Sequence, residues 1–306
     1  MAGNDKRVLC IQSTVVFGCV GNKTATFPLQ LHGYDVSTIN SVQFSNHTGY
    51  GKWKGQILDA EEVADLFEGL RINDLLNFSF VLTGYIGSQT FLQKVGDTIK
   101  EMKSKNPSLV YVCDPVMGDN GKLYVSEKLV PVYRSEIVEH ADIITPNQFE
   151  LQLLTQMPVG TEEEALAAMD KLHDRGVGIV VLSSSNLGGN DHLVCLASVR
   201  KDGESKKYRL KMPVIDGTFF GTGDLFAASF LVFIDKYKDL KVALEKTVSV
   251  VQKVIRQTIE HARGLAGPGN KPNMEQMELR LVQSKADVEH PQVELSAEEI
   301  KNQSHH

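Results

Sequence analysis

The sequence predicts an α/β fold of three layers, in which helices cover both faces of a mostly parallel central sheet. Short runs rich in Val, Ile and Leu alternate with longer amphipathic stretches along most of the chain. This βαβα order is typical of parallel strands joined by helical crossovers. The strand-like runs are also apolar almost throughout, as expected of strands that are buried on both faces.

The first part of the chain follows this alternation regularly. Its elements are predicted in the order strand 7–13, helix 23–31, strand 35–44, helix 60–73, strand 80–87, helix 91–105 and strand 109–115. Apolar residues at helical spacing define the side of each helix that should face the sheet. In the helix at 60–73 we expect this buried face to consist of Val63, Leu66, Phe67 and Leu70.

The second part continues the pattern and then departs from it. A strand runs into a helix over 141–155, a further helix and the strand 179–185 follow, and 193–215 is predicted to be a hairpin turning at Asp202-Gly203. Helices then follow residue 221 and cover 239–263, before a loop at 264–273 and an alternating stretch at 278–284. We expect one domain over 1–306, and the polar tail after about 285 is a candidate for disorder.

The composition argues against a nucleic-acid-binding protein and against a membrane protein. The 306 residues carry a formal net charge of -6, whereas a nucleic-acid-binding protein normally presents a basic surface. The start of the chain lacks the apolar stretch of a signal peptide, and no later run is long enough to span a bilayer. None of the four cysteines belongs to a C-x-x-C pair, so we expect buried free thiols and a cytoplasmic protein without nucleic-acid or membrane partners.

The stretch "FFGTGDLFAASF" (219–230) places an acidic side chain at the start of an apolar helix. Gly221 and Gly223 allow the backbone to approach a ligand closely, and a helix beginning here favours an anion such as phosphate. Asp224 would then lie beside the anion as a candidate general base. The alternative is that Asp224 is the N-cap of the helix, a position that aspartate favours.

Two further polar clusters follow predicted strands. "CDPVMGDNG" (113–121) supplies Asp114 and Asp119, a pair that suits Mg²⁺ held together with substrate phosphates. The alternative is an ordinary turn, because Asp-Pro and Asp-Asn-Gly are common turn sequences. Both interpretations are open at this point.

"TPNQFE" (145–150) has the pattern of a helix start. Thr145 fits the N-cap, and Gln148 completes a capping box with it. Asn147 and Glu150 lie three residues apart on one face of the first turn, so both are candidates to point at the ends of the strands.

The N-terminal half contributes hydroxyl and aromatic side chains at strand ends. Ser13 ends the first strand, Phe44, Thr48 and Trp53 follow another, and Tyr85 follows "VLTG". Hydroxyls beside aromatic faces suit a small planar polar ring, although such aromatics also cap protein cores. The chain lacks the spacing of a Walker phosphate loop, a G-x-G-x-x-G after the first strand and a G-x-S-x-G elbow.

Taken together, these motifs resemble a known family. "GTGDLFAA", "CDPVMGD" and "DIITPNQFE" are similar to motifs of the ribokinase-like superfamily, and "SVQFSNHTGYGKWKGQ", "ATFPLQLHGYDV" and "VLTGYIG" resemble the eukaryotic pyridoxal kinase family. The resemblance extends from about Val8 to about Val282. It implies a homodimer that phosphorylates the 5′-hydroxymethyl group of pyridoxal, pyridoxine or pyridoxamine with ATP. It also implies a divalent cation such as Mg²⁺ and a monovalent cation, which is usually K⁺ in this family.

The resemblance assigns roles to individual residues. Asp224 would be the base, and the backbone of Gly221, Thr222 and Gly223 would form the anion hole. The cations would lie near Asp114, Asp119, Thr145 and Glu150. Residues implied for ATP are Asp114, Tyr124, Asn147, Glu150, Ser183, Ser184, Ile215, Phe219, Thr222 and Gly223. Residues implied around the vitamin ring are Ser13, Val20, Val42, Phe44, Thr48, Trp53, Tyr85 and Phe220.

The sequence also departs from the family pattern at two places, and two other functions stay open. The loop after Asp119 is shorter than in the mammalian enzymes, and Thr14 stands where several relatives carry histidine. One alternative is a kinase for hydroxymethylpyrimidine, which the same G-T-G-D site would serve. The other is a vitamin- or nucleotide-binding protein without catalysis, although such a protein has no need to retain Asp224.

Overall fold

The computed structural model describes residues 6–189 and 191–301. Its strands are Arg7–Val15 (β1), Asp35–Phe44 (β2), Gly55–Ile57 (β3), Phe80–Thr83 (β4), Val110–Cys113 (β5), Gly118–Asp119 (β6), Lys122–Leu123 (β7), Ile143–Ile144 (β8), Ile179–Ser185 (β9), His192–Lys201 (β10), Glu204–Pro213 (β11) and Glu298–Glu299 (β12). Its α-helices are Asn22–Leu31 (α1), Ala60–Ile72 (α2), Gln89–Lys105 (α3), Leu129–Val132 (α4), Gln148–Thr155 (α5), Glu162–His173 (α6), Thr222–Tyr237 (α7), Leu240–Ala266 (α8) and Lys285–Glu289 (α9).

The main sheet has ten strands in the order β12-β11-β10-β9-β8-β5-β4-β1-β2-β3. Six central strands run parallel to one another: β9, β8, β5, β4, β1 and β2. At the edges, β3, β10, β11 and β12 pair antiparallel. The predicted mostly parallel sheet is therefore confirmed. The hairpin turns where predicted, because Asp202 and Gly203 adopt the positive φ values of 52° and 83° that a two-residue turn requires.

Two apolar layers hold the helices to the sheet. Alternate residues of β1 point to opposite faces, so that Leu9 and Ile11 join one core while Val8 and Cys10 join the other. The first core packs against α2 to α6, and the second packs against α1, α7, α8 and α9. This arrangement gives the three-layer α/β/α architecture that the sequence predicts.

Capping explains where several helices begin. Asp59 and Glu62 form a capping box at the start of α2, and Thr161 and Glu164 form another at the start of α6. Each pair satisfies backbone N–H groups that have no partner within the helix. One expectation for α2 is wrong, because Leu66 is 47% exposed. The helix packs along α3 and buries only a narrow stripe that includes Val63 and Phe67.

The C-terminal part differs in detail from the sequence-based expectations. Helix α8 continues to Ala266, into the predicted loop, and the alternating stretch at 278–284 forms turns that bury Leu279 and Leu281. The candidate disordered tail instead forms α9 and β12 in the structure, and β12 pairs with β11. Its last residues, 302–306, lie outside the described residues. The cysteines are free thiols, three of them buried, as expected.

Candidate active site

A cavity of about 600 Å³ opens at the carboxyl ends of the parallel strands. This volume falls in the usual range for small-molecule sites, and the location is the one where open α/β sheets bind ligands. The structure brings nearly all of the predicted site residues to its wall: Ser13, Val20, Val42, Phe44, Thr48, Tyr85, Asp114, Asp119, Tyr124, Thr145, Asn147, Glu150, Ser183, Ser184, Ile215, Phe219, Phe220, Gly221, Thr222, Gly223 and Asp224.

Trp53 is the predicted residue that the structure does not place on this wall. Its side chain is 45% exposed, and its ring lies beside Phe44 with 6.3 Å between ring centroids. Phe44 itself reaches the cavity. Trp53 therefore lies beside a residue of the wall without lining the cavity itself.

The G-T-G-D turn forms the start of α7. Gly221 is the N-cap residue, with a φ of 83°, and a Cβ at this position would lie 2.1 Å from the carbonyl oxygen of Cys19. Only glycine fits this conformation and this contact. Asp224 lies in the first turn of α7 and is not its N-cap, so the alternative interpretation of this aspartate is wrong. The first N–H groups of α7 have no intrahelical partners, and the residues that carry them line the cavity.

A backbone donor from the other end of the chain fixes the side chain of Asp224. The N–H of Gly21 donates to Asp224 Oδ2 at 2.7 Å. Burial raises the pKa of Asp224, and the hydrogen bond from Gly21 opposes this rise. A buried carboxylate with a raised pKa accepts a proton more readily than an exposed aspartate does.

Asp114 lies close to both Asp224 and Glu150, which makes a group of three carboxylates in the same cavity. Asp114 is only 6% exposed, and its pKa is well above its usual value because of burial and of the charges of Glu150 and Asp224. Burial also raises the pKa of Glu150, although three backbone N–H groups oppose the rise. Neighbouring carboxylates in a desolvated space disfavour one another's charged forms. A cation bound among them would stabilise those charged forms.

Helix α5 begins differently from the prediction. Asn147, not Thr145, is the N-cap, and Glu150 rather than Gln148 completes the capping box. The Asn147 N–H donates to Glu150 Oε2 at 2.9 Å, and Glu150 N–H donates to Asn147 Oδ1 at 2.9 Å. Thr145 continues the ladder beyond β8, where its N–H donates to the carbonyl of Cys113. Because Thr145 still pairs as part of the strand ladder, the N-cap of α5 lies two residues later than predicted.

This capping box also connects α5 to the loop that follows β5. Glu150 Oε1 accepts the N–H of Met117 at 2.9 Å, and Asn147 Nδ2 donates to the carbonyl of Gly118 at 2.7 Å. These bonds hold the start of the β6–β7 hairpin, which carries Asp119 and Tyr124 to the cavity. Asn147 and Glu150 therefore position this hairpin as well as lining the site.

The donors present suit hard cations. Thr145 lines the same cavity, and its Oγ1 is buried and has no hydrogen-bond partner in the structure. Carboxylate and hydroxyl oxygens are the ligands that Mg²⁺ and similar ions prefer. Within residues 6–189 and 191–301, no three His, Cys, Asp or Glu side chains converge closely enough to hold a metal by themselves.

One end of the cavity is apolar and aromatic. Val15, Val20, Val42 and Phe44 form a small buried cluster against which Tyr85 and Phe220 pack. Ser13 and Thr48 add hydroxyl groups to the same wall. Sequence reasoning missed His47, which stacks on Phe220 with 4.3 Å between ring centroids. Its place in "SNHTGY", directly before Thr48, is the signal that could have identified it.

The other end is bounded by β9 and α8. Ser183, Ser184 and Phe219 line the cavity, together with residues of α8 that the sequence did not identify as part of the site. Val248, Val251 and Ile255 line this wall. Their i, i+3, i+7 spacing marks one helix face, but core-facing residues have the same spacing, so the pattern alone could not identify them.

Comparison with known proteins agrees with this geometry. The family described as phosphomethylpyrimidine kinase matches residues 25–270. The pyridoxal kinase of Sus scrofa is 52% identical over 307 residues, which cover 96% of this chain and 95% of that protein.

The chain belongs to the pyridoxal kinase family. A member from Arabidopsis thaliana is 47% identical, with 95% of this chain and 94% of the relative covered. A solved structure of this family, pyridoxal kinase from Leishmania donovani in complex with ADP and pyridoxamine, superposes with a TM-score of 0.89. It is 40% identical, and the match covers 97% of this chain and all of that one. Like these relatives, the chain is a kinase with the ribokinase-like fold.

Among the residues that the structure describes, no helix is both long and apolar enough to cross a membrane.

Proposed function

We propose that this kinase transfers the γ-phosphoryl group of ATP to the 5′-hydroxymethyl group of pyridoxal, pyridoxine and pyridoxamine. One observation carries the proposal: the half-buried Asp224 lies at the helix start of the G-T-G-D turn, in a cavity with an aromatic end and a second end near the carboxylates. Family membership supports it, as do the Leishmania relatives, which were solved with ADP together with pyridoxamine or pyridoxine.

Asp224 is the general base in this proposal. Gly21 occupies its Oδ2, so Oδ1 is the oxygen that accepts the proton of the vitamer hydroxyl. The alcohol oxygen then attacks the γ-phosphorus, and the bond to the β-γ bridging oxygen breaks. The N–H groups of the Gly221-Thr222-Gly223 turn stabilise the negative charge of the transferring group, and the positive end of α7 adds to this. Phosphoryl transfer depends mainly on such positioning and charge stabilisation.

The cation ligands are proposed from the same oxygen cluster. Asp114, Asp119, Glu150 and Thr145 fit a divalent ion such as Mg²⁺ and a monovalent ion such as K⁺. Bound cations neutralise phosphate charge during the transfer. Around the nucleotide, the proposed contacts are Asp114, Tyr124, Asn147, Glu150, Ser183, Ser184, Ile215, Phe219, Thr222 and Gly223. The apolar face of α8 would form the wall against the adenine base of ATP.

The aromatic end is proposed to bind the vitamin ring. Its apolar walls suit the two faces of a planar ring, and its hydroxyls suit the ring substituents. The residues proposed here are Ser13, Val20, Val42, Phe44, Thr48, Tyr85 and Phe220. Trp53 lies beside Phe44 and is not proposed as a ring contact.

Three wider predictions accompany this function. The whole chain is proposed to be a single kinase domain that works as a homodimer in the cytoplasm. The continuity of the ten-stranded sheet from β12 to β3 supports a single domain. Light scattering on the purified protein would test the dimer, since the mass of one chain is 33.8 kDa.

Product analysis tests the reaction itself. The protein is incubated with ATP, Mg²⁺ and, separately, each of the three vitamers and hydroxymethylpyrimidine, and the products are identified by mass spectrometry. We expect a phosphate on the vitamers. Hydroxymethylpyrimidine is included because the matching family is described as phosphomethylpyrimidine kinase. Phosphorylation of the pyrimidine alone would refute the proposal in favour of that kinase, and no product on any alcohol would favour a binding protein.

A further inference from the structure

Glu278 lies far from the other site residues in sequence, yet its side chain joins two loops beside the aromatic end of the cavity. Its carboxylate accepts the N–H of Cys19 at 2.9 Å and the hydroxyl of Tyr50 at 3.0 Å. It also lies 3.1 Å from Nε2 of His47. Cys19 belongs to the loop after β1, and His47 and Tyr50 belong to the loop after β2. One carboxylate therefore holds both loops.

The surroundings of Glu278 favour its charged form. Burial alone would raise the pKa of this carboxyl, but hydrogen bonds from His47, Cys19 and Tyr50 outweigh it, so the pKa lies below its usual value. The side chain is only 14% exposed. The fit is also tight, because a Cβ on Gly18 would lie 2.6 Å from Glu278 Oε1. Glu278 is thus a partly buried anion with three donors.

The contact with His47 continues to the cavity wall. If Nε2 donates to Glu278, the imidazole has a fixed tautomer and orientation. The His47 ring then stacks on Phe220 at 4.3 Å with an interplanar angle of 24°. Gly49 packs against Phe220, since a Cβ there would lie 2.3 Å from Phe220 Cζ. Phe220 directly precedes the Gly221 turn, so Glu278 and His47 act on the residue between the ring pocket and the anion hole.

We propose that Glu278 is a positioning residue for the vitamin substrate, which acts through His47 on Phe220 and thereby sets the shape of the ring-binding end of the cavity. This inference rests on the proposed function, because it assumes that the aromatic end holds the vitamer. Glu278 bonds to loops at that end, and none of these three bonding partners belongs to α8 or β9. Its loss therefore weakens vitamer binding and spares nucleotide binding.

Glu278→Gln tests this most directly, because it keeps the shape of the side chain. Glutamine replaces one carboxylate oxygen with an NH₂ donor, so either the Cys19 N–H loses its acceptor or the His47 and Tyr50 contacts must reverse direction, which changes the His47 tautomer. We expect the KM for pyridoxal to rise about tenfold, the order of effect that an unpaired buried group causes. The KM for ATP should change by less than twofold. Glu275→Gln is the matched control, since Glu275 is exposed on the same segment and loses the same charge.

A double-mutant cycle tests the route through His47. His47→Phe keeps an aromatic ring against Phe220 but removes the nitrogen that faces Glu278. If Glu278 acts through His47, Glu278→Gln should have a much smaller effect on the pyridoxal KM in the His47→Phe background than in the wild type. Thermal melting and calorimetric titration with ADP confirm that each variant is folded and binds nucleotide normally.

Three results would overturn the inference. A pyridoxal KM within twofold of wild type in both Glu278→Gln and Glu278→Ala would show that Glu278 does not position the substrate. Equal increases in the KM values of pyridoxal and ATP would show a general loosening of the site. Fully additive effects with His47→Phe would exclude the route through His47. Failure of the proposed function is distinguishable, because the wild-type protein itself would then form no phosphorylated vitamer.

Discussion

Replacing Asp224 by asparagine separates the chemistry of the site from its architecture. The amide oxygen of asparagine can still accept the Gly21 N–H that Asp224 Oδ2 accepts at 2.7 Å. The side chain keeps its volume, and the Gly21 N–H keeps its acceptor. Asparagine cannot take the proton of an alcohol and carries no charge, so the substitution removes the proposed base and its negative charge but keeps the shape of the side chain. We therefore expect the variant to fold and to bind both substrates.

The size of the effect follows from the role. A positioned general base contributes about 10²–10⁴-fold to the rate. At about 1.4 kcal/mol for each factor of ten, this corresponds to about 3–5.5 kcal/mol of transition-state stabilisation. The loss should appear in kcat, because Asp224 accepts the proton in the transition state. The KM for ATP should stay close to its wild-type value. Removing a charge from beside Asp114 also relieves repulsion, so stability should not fall.

The assay is the initial rate of pyridoxal phosphate formation, followed by its absorbance, with saturating ATP and Mg²⁺. Asp216→Asn is the matched control, because Asp216 is exposed in the loop that leads to the same turn. It should keep wild-type kcat. If Asp224→Asn retained more than about a tenth of wild-type kcat, Asp224 could not be the base, since the expected loss is at least about 10²-fold.

Three further substitutions address the cation, the nucleotide and the fold. Thr145→Val removes the buried, unpartnered Oγ1 without disturbing packing, so we expect weaker activation in a KCl titration; unchanged K⁺ dependence would contradict this role. Val251→Trp fills the α8 side of the cavity and should raise the KM for ATP by at least about tenfold but not that for pyridoxal; equal changes in both would contradict the assignment. Asp235 is buried, and although burial opposes it, hydrogen bonds from Lys238, Lys6 and Tyr34 hold its pKa below the usual value. Its ionised form therefore contributes stability above about pH 4, which is lost as the pH falls through the lowered pKa. In urea unfolding, Asp235→Asn should be less stable than wild type by about 1–2 kcal/mol at pH 7, because the lysines are partly solvated. A difference that stayed constant down to pH 3 would refute this reasoning.

The local features of this protein could be predicted from its sequence. Apolar runs and helical spacing predict the alternating strands and helices, because periodicity reflects which faces an element buries. The turn at Asp202-Gly203 is predictable because turn residues act through their own backbone. The strand-end loops that carry Asp114, Thr145 and Asp224 were predictable as well, since parallel strands place their carboxyl ends at one edge.

The contacts that complete the site were decided only in the tertiary structure. Gly21 holds Asp224 across 203 residues, and Cys19 meets Glu278 across 259. Strand pairing moved the N-cap of α5 from Thr145 to Asn147. The sequence determined which residue types stand at the strand ends, because that depends on short-range pattern. Their partners depend on how distant loops pack together, and no local pattern records that packing.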